Sequence, residues 1–232
     1  MKYKMIGFIA ITLLCWTTSA QECSQYYPMV EGSSYEYTVY NKKGKTDGVI
    51  AYTVSNVRTD GDSTTATMQM NMKNGKGKEQ YTMDYDFTCE NGIIKIDYES
   101  LFPQQMAAQF GEDVEITMSG TDVELPANLS VGQELKDASV DVAMDMGMMK
   151  MDIAVKTINR KIEKKETVTT PAGTFDCFVL YSESVTKMPM GGGNKTFPSR
   201  IWLADGVGMV KQVSYNAKGS VDATSELTAF SK

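Results

Sequence analysis

Seventeen methionines and not one histidine set the terms for any chemistry in this 232-residue chain. Without histidine, Ser-His-Asp and Cys-His mechanisms are excluded, and so is the commonest metal ligand. Zinc would have to rely on Cys and carboxylate, and a few scattered cysteines do not form such a site. Gly44-Lys45-Thr46 ends like a phosphate-binding loop. The first glycine of that motif would fall at Val39, inside an alternating strand pattern, and a strand follows where a helix is required. Ser184 and Lys187 spell Ser-x-x-Lys, but that pair works at the start of a helix, and here it lies on a strand or loop. Asp60-Gly61-Asp62 and the Asp84/Asp86 pair lack the longer run of oxygen ligands that a calcium loop needs. They read as a turn and as a solvated strand face. No catalytic residue and no cofactor is implied.

Methionine is the more informative residue. Met144, Met146, Met148, Met149 and Met151 crowd one hairpin, and Met188 and Met190 flank Pro189. Thioethers bind copper(I), which gives a minor copper-binding alternative. Methionine also fills irregular cores and adaptable apolar surfaces. Met144, Met146 and Met148 alternate at strand period, as do Met68, Met70 and Met72, so each set points one way. Phe102, Met106 and Phe110 repeat every four residues behind Ser100 and Pro103, and Gly111 follows. That pattern predicts a short amphipathic helix with an apolar stripe. Met68, Met70, Met144, Met146, Met148, Phe102, Met106 and Phe110 are therefore the expected lining of an apolar cavity.

The N-terminus points to export. Lys2 and Lys4 precede an apolar run from Met5 to Trp16, and Thr18-Ser19-Ala20 supplies the small residues of a cleavage site. Residues 1–20 read as a signal peptide and residues 21–232 as a single all-β domain in the periplasm or outside the cell. Cys15 and Cys23 both lack the small preceding residues of a lipoprotein signal. No later segment has the ~18 apolar residues that would span a membrane. Cleavage leaves Cys23, Cys89 and Cys177, so at most one intrachain bridge forms. Cys177 lies mid-strand in an apolar run and reads as a buried thiol. A Cys23–Cys89 bridge would pin the N-terminal leader, although sequence does not fix connectivity. The net charge of −6 and a pI near 4.9 argue against a nucleic-acid partner.

Strand follows strand from Ser34 onward. Alternating runs at 34–40, 49–57, 64–72 and 81–89 are separated by Gly-, Asn- and Lys-rich turns, and Asn91-Gly92 closes a hairpin into Ile93 to Ile96. Further strands are expected at 114–119, at 140–158 with a turn near Gly147, at 162–169 and at 220–230. Residues 125–135 read as irregular. Pro171-Ala172-Gly173 is a turn, Thr174 to Tyr181 reads as a central strand apolar on both faces, and Asp205-Gly206 joins two apolar runs. The expectation is a strongly curved antiparallel sheet, an open or half barrel, with one short helix packed against it.

The stretch Thr170-Pro171-Ala172-Gly173-Thr174-Phe175-Asp176-Cys177, followed by Ile201-Trp202-Leu203-Ala204 and Gly206-Val207-Gly208-Met209-Val210-Lys211, resembles the TapB-like group of uncharacterised exported bacterial proteins. The leader Cys23 to Pro28 and Thr88-Cys89 fit the same pattern. The group is similar in architecture to YmcC-like and lipoprotein-carrier folds. That resemblance implies a concave face able to take a lipid, a lipoprotein acyl chain or an apolar segment of another envelope protein. It brings no catalytic residues. The alternative is a structural or interaction module with a filled core. A carrier should hold a dry pocket of several hundred Å3, and a module should not.

Overall fold

The computed structural model describes residues 25–97, 115–145, 150–187 and 193–232. Within them the chain forms one antiparallel sheet of thirteen strands. Five make a meander: β1 (Ser34–Asn41), β2 (Thr46–Asp60), β3 (Ser63–Asn74), β4 (Glu79–Glu90) and β5 (Ile93–Ile96). Two short strands follow, β6 (Glu115–Thr121) and β7 (Val123–Pro126). The rest are β8 (Ala138–Asp145), β9 (Lys150–Thr170), β10 (Gly173–Lys187), β11 (Asn194–Ala204), β12 (Gly208–Tyr215) and β13 (Val221–Ser231). Their order across the sheet is β6-β8-β9-β10-β11-β12-β13-β1-β2-β3-β4-β5-β7. The fold is all-β, as the alternation predicts. The expected helix over Phe102 to Phe110 and the turn near Gly147 lie outside the described residues.

Turn chemistry fixes the hairpins. Asn91 and Gly92 both have positive φ, 52° and 73°, the geometry that a two-residue type I′ turn demands. One other turn is used three times. Asn41-Lys42-Lys43-Gly44, Asn74-Gly75-Lys76-Gly77 and Asn216-Ala217-Lys218-Gly219 each put Asn first and Gly fourth. In each, the Asn Oδ1 accepts from the backbone N–H two residues on, at 2.9, 3.0 and 2.9 Å. The fourth-position glycines take φ of 71°, 77° and 78°, where a side chain would be strained. Gly44-Lys45-Thr46 is thus the end of a hairpin turn.

Two features differ from the sequence reading. The arm expected to end at Ile158 and the strand expected from Ile162 are one strand, the 21-residue β9. It stays continuous by bulging twice against β10, once at Val179/Leu180 and once where Asn159 and Arg160 together oppose Ser182. Each bulge adds a residue and sharpens the bend. The segment read as irregular begins with β7, which pairs with β5 from Ile93↔Pro126 to Ile96↔Val123.

Strands β6 and β7 close the architecture. β6 pairs with β8 at one end of the sheet and β7 with β5 at the other, yet only Asp122 separates them in sequence. One bent strand is shared by both ends, so the sheet comes round into a nearly closed barrel. This removes most of the exposed edge that would template aggregation. The main core cluster runs largely through the enclosed side, with Phe87, Ile94, Ile162, Leu203 and Leu227 fully buried. Burying each of these side chains contributes roughly 1.5–3 kcal/mol.

Candidate functional site in the concave face

The enclosed face is occupied mainly by the chain itself. The N-terminal segment crosses it: Gly206 N–H donates to Gln25 O at 2.7 Å, the Tyr26 ring meets Phe178 edge-on at 6.0 Å, and the Tyr27 ring lies 6.1 Å from Phe87. Gly208 accommodates this crossing, since a Cβ there would stand 3.0 Å from Tyr26 O.

Beneath the segment, Tyr27, Tyr35, Tyr37, Tyr52 and Tyr85 surround a cavity of about 80 Å3, with Met68 in its wall. Tyr37 Oη–H donates to Met209 O at 2.7 Å, and the Tyr37 and Tyr52 rings meet edge-on at 5.8 Å. Burial is the first cause that raises these phenols: Tyr52 is pushed up to about 12, and Tyr37 and Tyr85 rise well above the usual range. They are neutral, packed hydroxyls.

A second cavity of about 100 Å3 adjoins Tyr27 on its other side. Ile94, Leu125, Leu180, Ile201 and Leu203 make its walls, and Arg160, Thr157 and Ser182 border it. Arg160 is only 4% exposed. Its Nη1 donates to Lys136 O at 2.6 Å and its Nη2 to Glu124 O at 2.8 Å, tying β9 to β7 and to the segment before β8. Burial lowers its pKa, offset by the charges of Asp137, Tyr27 and Glu124. Sequence reasoning missed Arg160. No local sequence signal marks it, because the bulge that places it here, with Asn159 at a φ of 54°, arises from the pairing of β9 with β10.

The predicted lining is brought together only in part. Met68 lines the tyrosine cavity. Met70 is half-buried and lines neither cavity. Met144 is buried, but on β8 and outside the cluster that contains Met68. Met146, Met148, Phe102, Met106 and Phe110 lie outside the described residues. Cys89 is fully buried and disulfide-bonded, with its partner also outside the described residues. Cys177 is a buried free thiol, pushed up to about 12 by burial first and then by Asp176 and Glu166. Among the described residues no group of three or more His, Cys, Asp or Glu side chains is arranged to hold a metal. Ser184 and Lys187, three apart on strand β10, point to opposite faces.

The nearly closed antiparallel barrel has the fold of a candidate exported protein described as YmcC-like. The chain belongs to the DUF3108-like family, whose sequence model matches residues 30–227. That family is compatible with the TapB-like resemblance without carrying its name. The fold is similar to a candidate exported protein with a YmcC-like fold from Bacteroides fragilis, at TM-score 0.69 and 19% identity over 90% of this chain and 100% of that one. It is equally similar to a candidate lipoprotein from Parabacteroides distasonis, at TM-score 0.69 and 22% identity over 91% and 100%. The sequence matches no curated protein.

Proposed function

We propose that this chain is a non-enzymatic envelope domain that works as a rigid interaction module rather than as a lipid carrier. The observation that supports this reading is the occupation of the concave face. Tyr26, Tyr27 and the tyrosine ring take up the space a carrier would keep free, leaving apolar interior cavities of about 80 and 100 Å3, while the larger clefts of about 450 and 630 Å3 are bordered by charged side chains rather than by an apolar lining. Drug-sized ligands and acyl chains need roughly 300–1,000 Å3. The shifted groups also point away from catalysis, because the tyrosines and Cys177 are all driven toward their inert, protonated forms.

Export follows from the signal-like N-terminus, with cleavage after Ala20, and is supported by the candidate exported protein and candidate lipoprotein among the similar folds. In that oxidising setting Cys89 pairs with Cys23, since Cys177 is free and buried. The bridge would anchor the crossing segment to β4. Peptide mapping of the mature, non-reduced chain tests the pairing, and a diacylated N-terminal mass would replace the cleavage site with a lipid anchor.

The deciding experiment is native mass spectrometry of the chain purified from its own envelope fraction, before and after organic extraction. A bare polypeptide mass is expected. A co-purifying lipid would overturn the module and restore the carrier reading, in which displacement of the Tyr27 segment would merge the two cavities.

A further inference from the structure

Arg160 is the one buried formal charge among the described residues. Its guanidinium has five N–H donors. Among the described residues it makes two hydrogen bonds, both to backbone carbonyls, and no ion pair. A buried cation without a buried anion is costly unless its donors are satisfied. Asp137, the carboxylate whose charge acts on it most, is exposed and forms no ion pair with it. Thr157 and Ser182 border the same cavity, and Ser182 Oγ lies 3.0 Å from Ser199 Oγ, so that pair can present a hydroxyl inward. Apart from Tyr27, the rest of the lining is aliphatic. A single positive group facing an apolar chamber is the complement of a small amphiphilic anion.

We propose that the cavity beneath Arg160 is a binding site for a small aliphatic carboxylate. Its anionic head sits on the Arg160 guanidinium and the hydroxyls of Ser182 and Thr157, and its alkyl end lies against Ile94, Ile96 and Leu180. The size of the chamber sets the ligand. A dry cavity of ~150 Å3 admits benzene, so one of about 100 Å3 takes a carboxylate of about two to five carbons. A planar guanidinium can meet a carboxylate with two parallel N–H donors. The bulge at Asn159 and Arg160 gives the site its geometry by placing the arginine opposite Ser182. Arg160 also borders an outer cleft of about 630 Å3, beside Lys161 and the carboxylates Glu134, Asp137, Glu163 and Glu183, so its side chain stands between that cleft and the chamber. This site is independent of the module reading, since a filled barrel can still hold a small anion.

The test is titration of the full mature chain, its disulfide intact, by calorimetry and by amide chemical shifts. The probes are sodium acetate, propanoate, butanoate and octanoate, with propylammonium chloride and sodium chloride at matched ionic strength as controls. Saturable binding is expected for the short carboxylates, with shifts centred on Arg160, Ser182 and Ile96, and none for octanoate or the controls. Arg160→Gln should weaken binding by about 10- to 100-fold, the loss of charge-assisted hydrogen bonds. If that variant fails to fold, Ile96→Phe carries the test, because it fills the chamber and leaves the arginine in place. It should abolish binding while the chain keeps its far-ultraviolet spectrum. No saturable shift with any short carboxylate, equal binding of octanoate, or undiminished affinity in Ile96→Phe would overturn the site and leave Arg160 as a clamp between β7 and β9.

Discussion

The wall made by β10 and β11 and the wall made by β3 and β4 belong to one sheet, yet they bury their residues differently. On β3 and β4 the alternation is clean. Ala66, Met68, Phe87 and Cys89 face the core. The other face carries polar rungs, with Thr67 Oγ1–H donating to Asp86 Oδ1 at 2.7 Å and Asn71 Nδ2–H to Thr82 Oγ1 at 3.0 Å. On β10, four consecutive residues from Cys177 to Leu180 are buried, so both faces are dry. Leu180, Ile201 and Leu203 line the inner cavity. Val179 pairs with Trp202 on the outside and is 0% exposed. That outer layer is sealed by charged groups. Trp202 Nε1–H donates to Glu166 Oε1 at 2.6 Å, and Lys211 Nζ lies 5.9 Å from the indole centroid and 2.8 Å from Glu226 Oε1. A single sheet thus carries a second apolar layer where Trp202 and its ionic lid cover it. Elsewhere its outer face is wetted by threonines.

The sharpest way to break this contrast is Trp202→Ala. It should cost about 3–5 kcal/mol in denaturant unfolding, as expected for an aromatic removed from a packed site. A loss below ~1 kcal/mol, the range of ordinary surface substitutions, would mean that the outer layer contributes no more than the threonine face.

Alkaline titration probes the inner side of the β1–β4 wall. The folded pKa of Tyr52 is raised to about 12 from an ordinary value near 10. The unfolded chain therefore loses this proton first, and stability falls as pH rises from about 10 to 12. A tenfold difference in proton affinity between the folded and unfolded chain is worth ~1.4 kcal/mol, so Tyr52 alone removes roughly 2–3 kcal/mol. Tyr37 and Tyr85 act in the same direction. Phenolate absorbance should show a late-titrating group of tyrosines, and ionisation of every tyrosine near pH 10 in the folded chain would contradict a sealed ring.

A smaller effect is expected from Arg200→Lys. Arg200 reaches Glu163 through Nε at 2.7 Å and Nη2 at 3.0 Å and lies over the Tyr181 and Tyr215 rings. Lysine keeps the charge but loses the two-pronged geometry and the stacking. Both partners are about a third exposed, so the loss should be about 1 kcal/mol. The smallest effect belongs to Thr67→Val on the wet face, within about 0.5 kcal/mol. A larger loss there than at Arg200 would reverse the comparison.

Much of the fold was legible because local chemistry carries it. Period-two alternation marks strands β1 to β5, and Asn91-Gly92 and Asp205-Gly206 mark turns whose backbone only a few residues adopt. Thr174 to Tyr181 reads as a central strand because Phe175, Cys177, Val179 and Tyr181 fill one face and Phe178 and Leu180 part of the other. The recurring Asn-x-x-Gly turn was equally present in the residues. Other features had no local signature. Asp122 looks like any polar residue between two short strands, and only the curvature accumulated over thirteen strands brings β6 and β7 to opposite ends of the same sheet. Arg160 reads as one charge in the run Asn159-Arg160-Lys161, which alternation would assign to solvent. A one-residue bulge reverses which side chains face inward, and bulges arise from the packing of the paired strand. The methionines show the same limit. Their spacing predicts a shared face, but Met68 and Met144 lie on strands far apart in the sheet, and strand order is fixed by long-range pairing that periodicity does not encode.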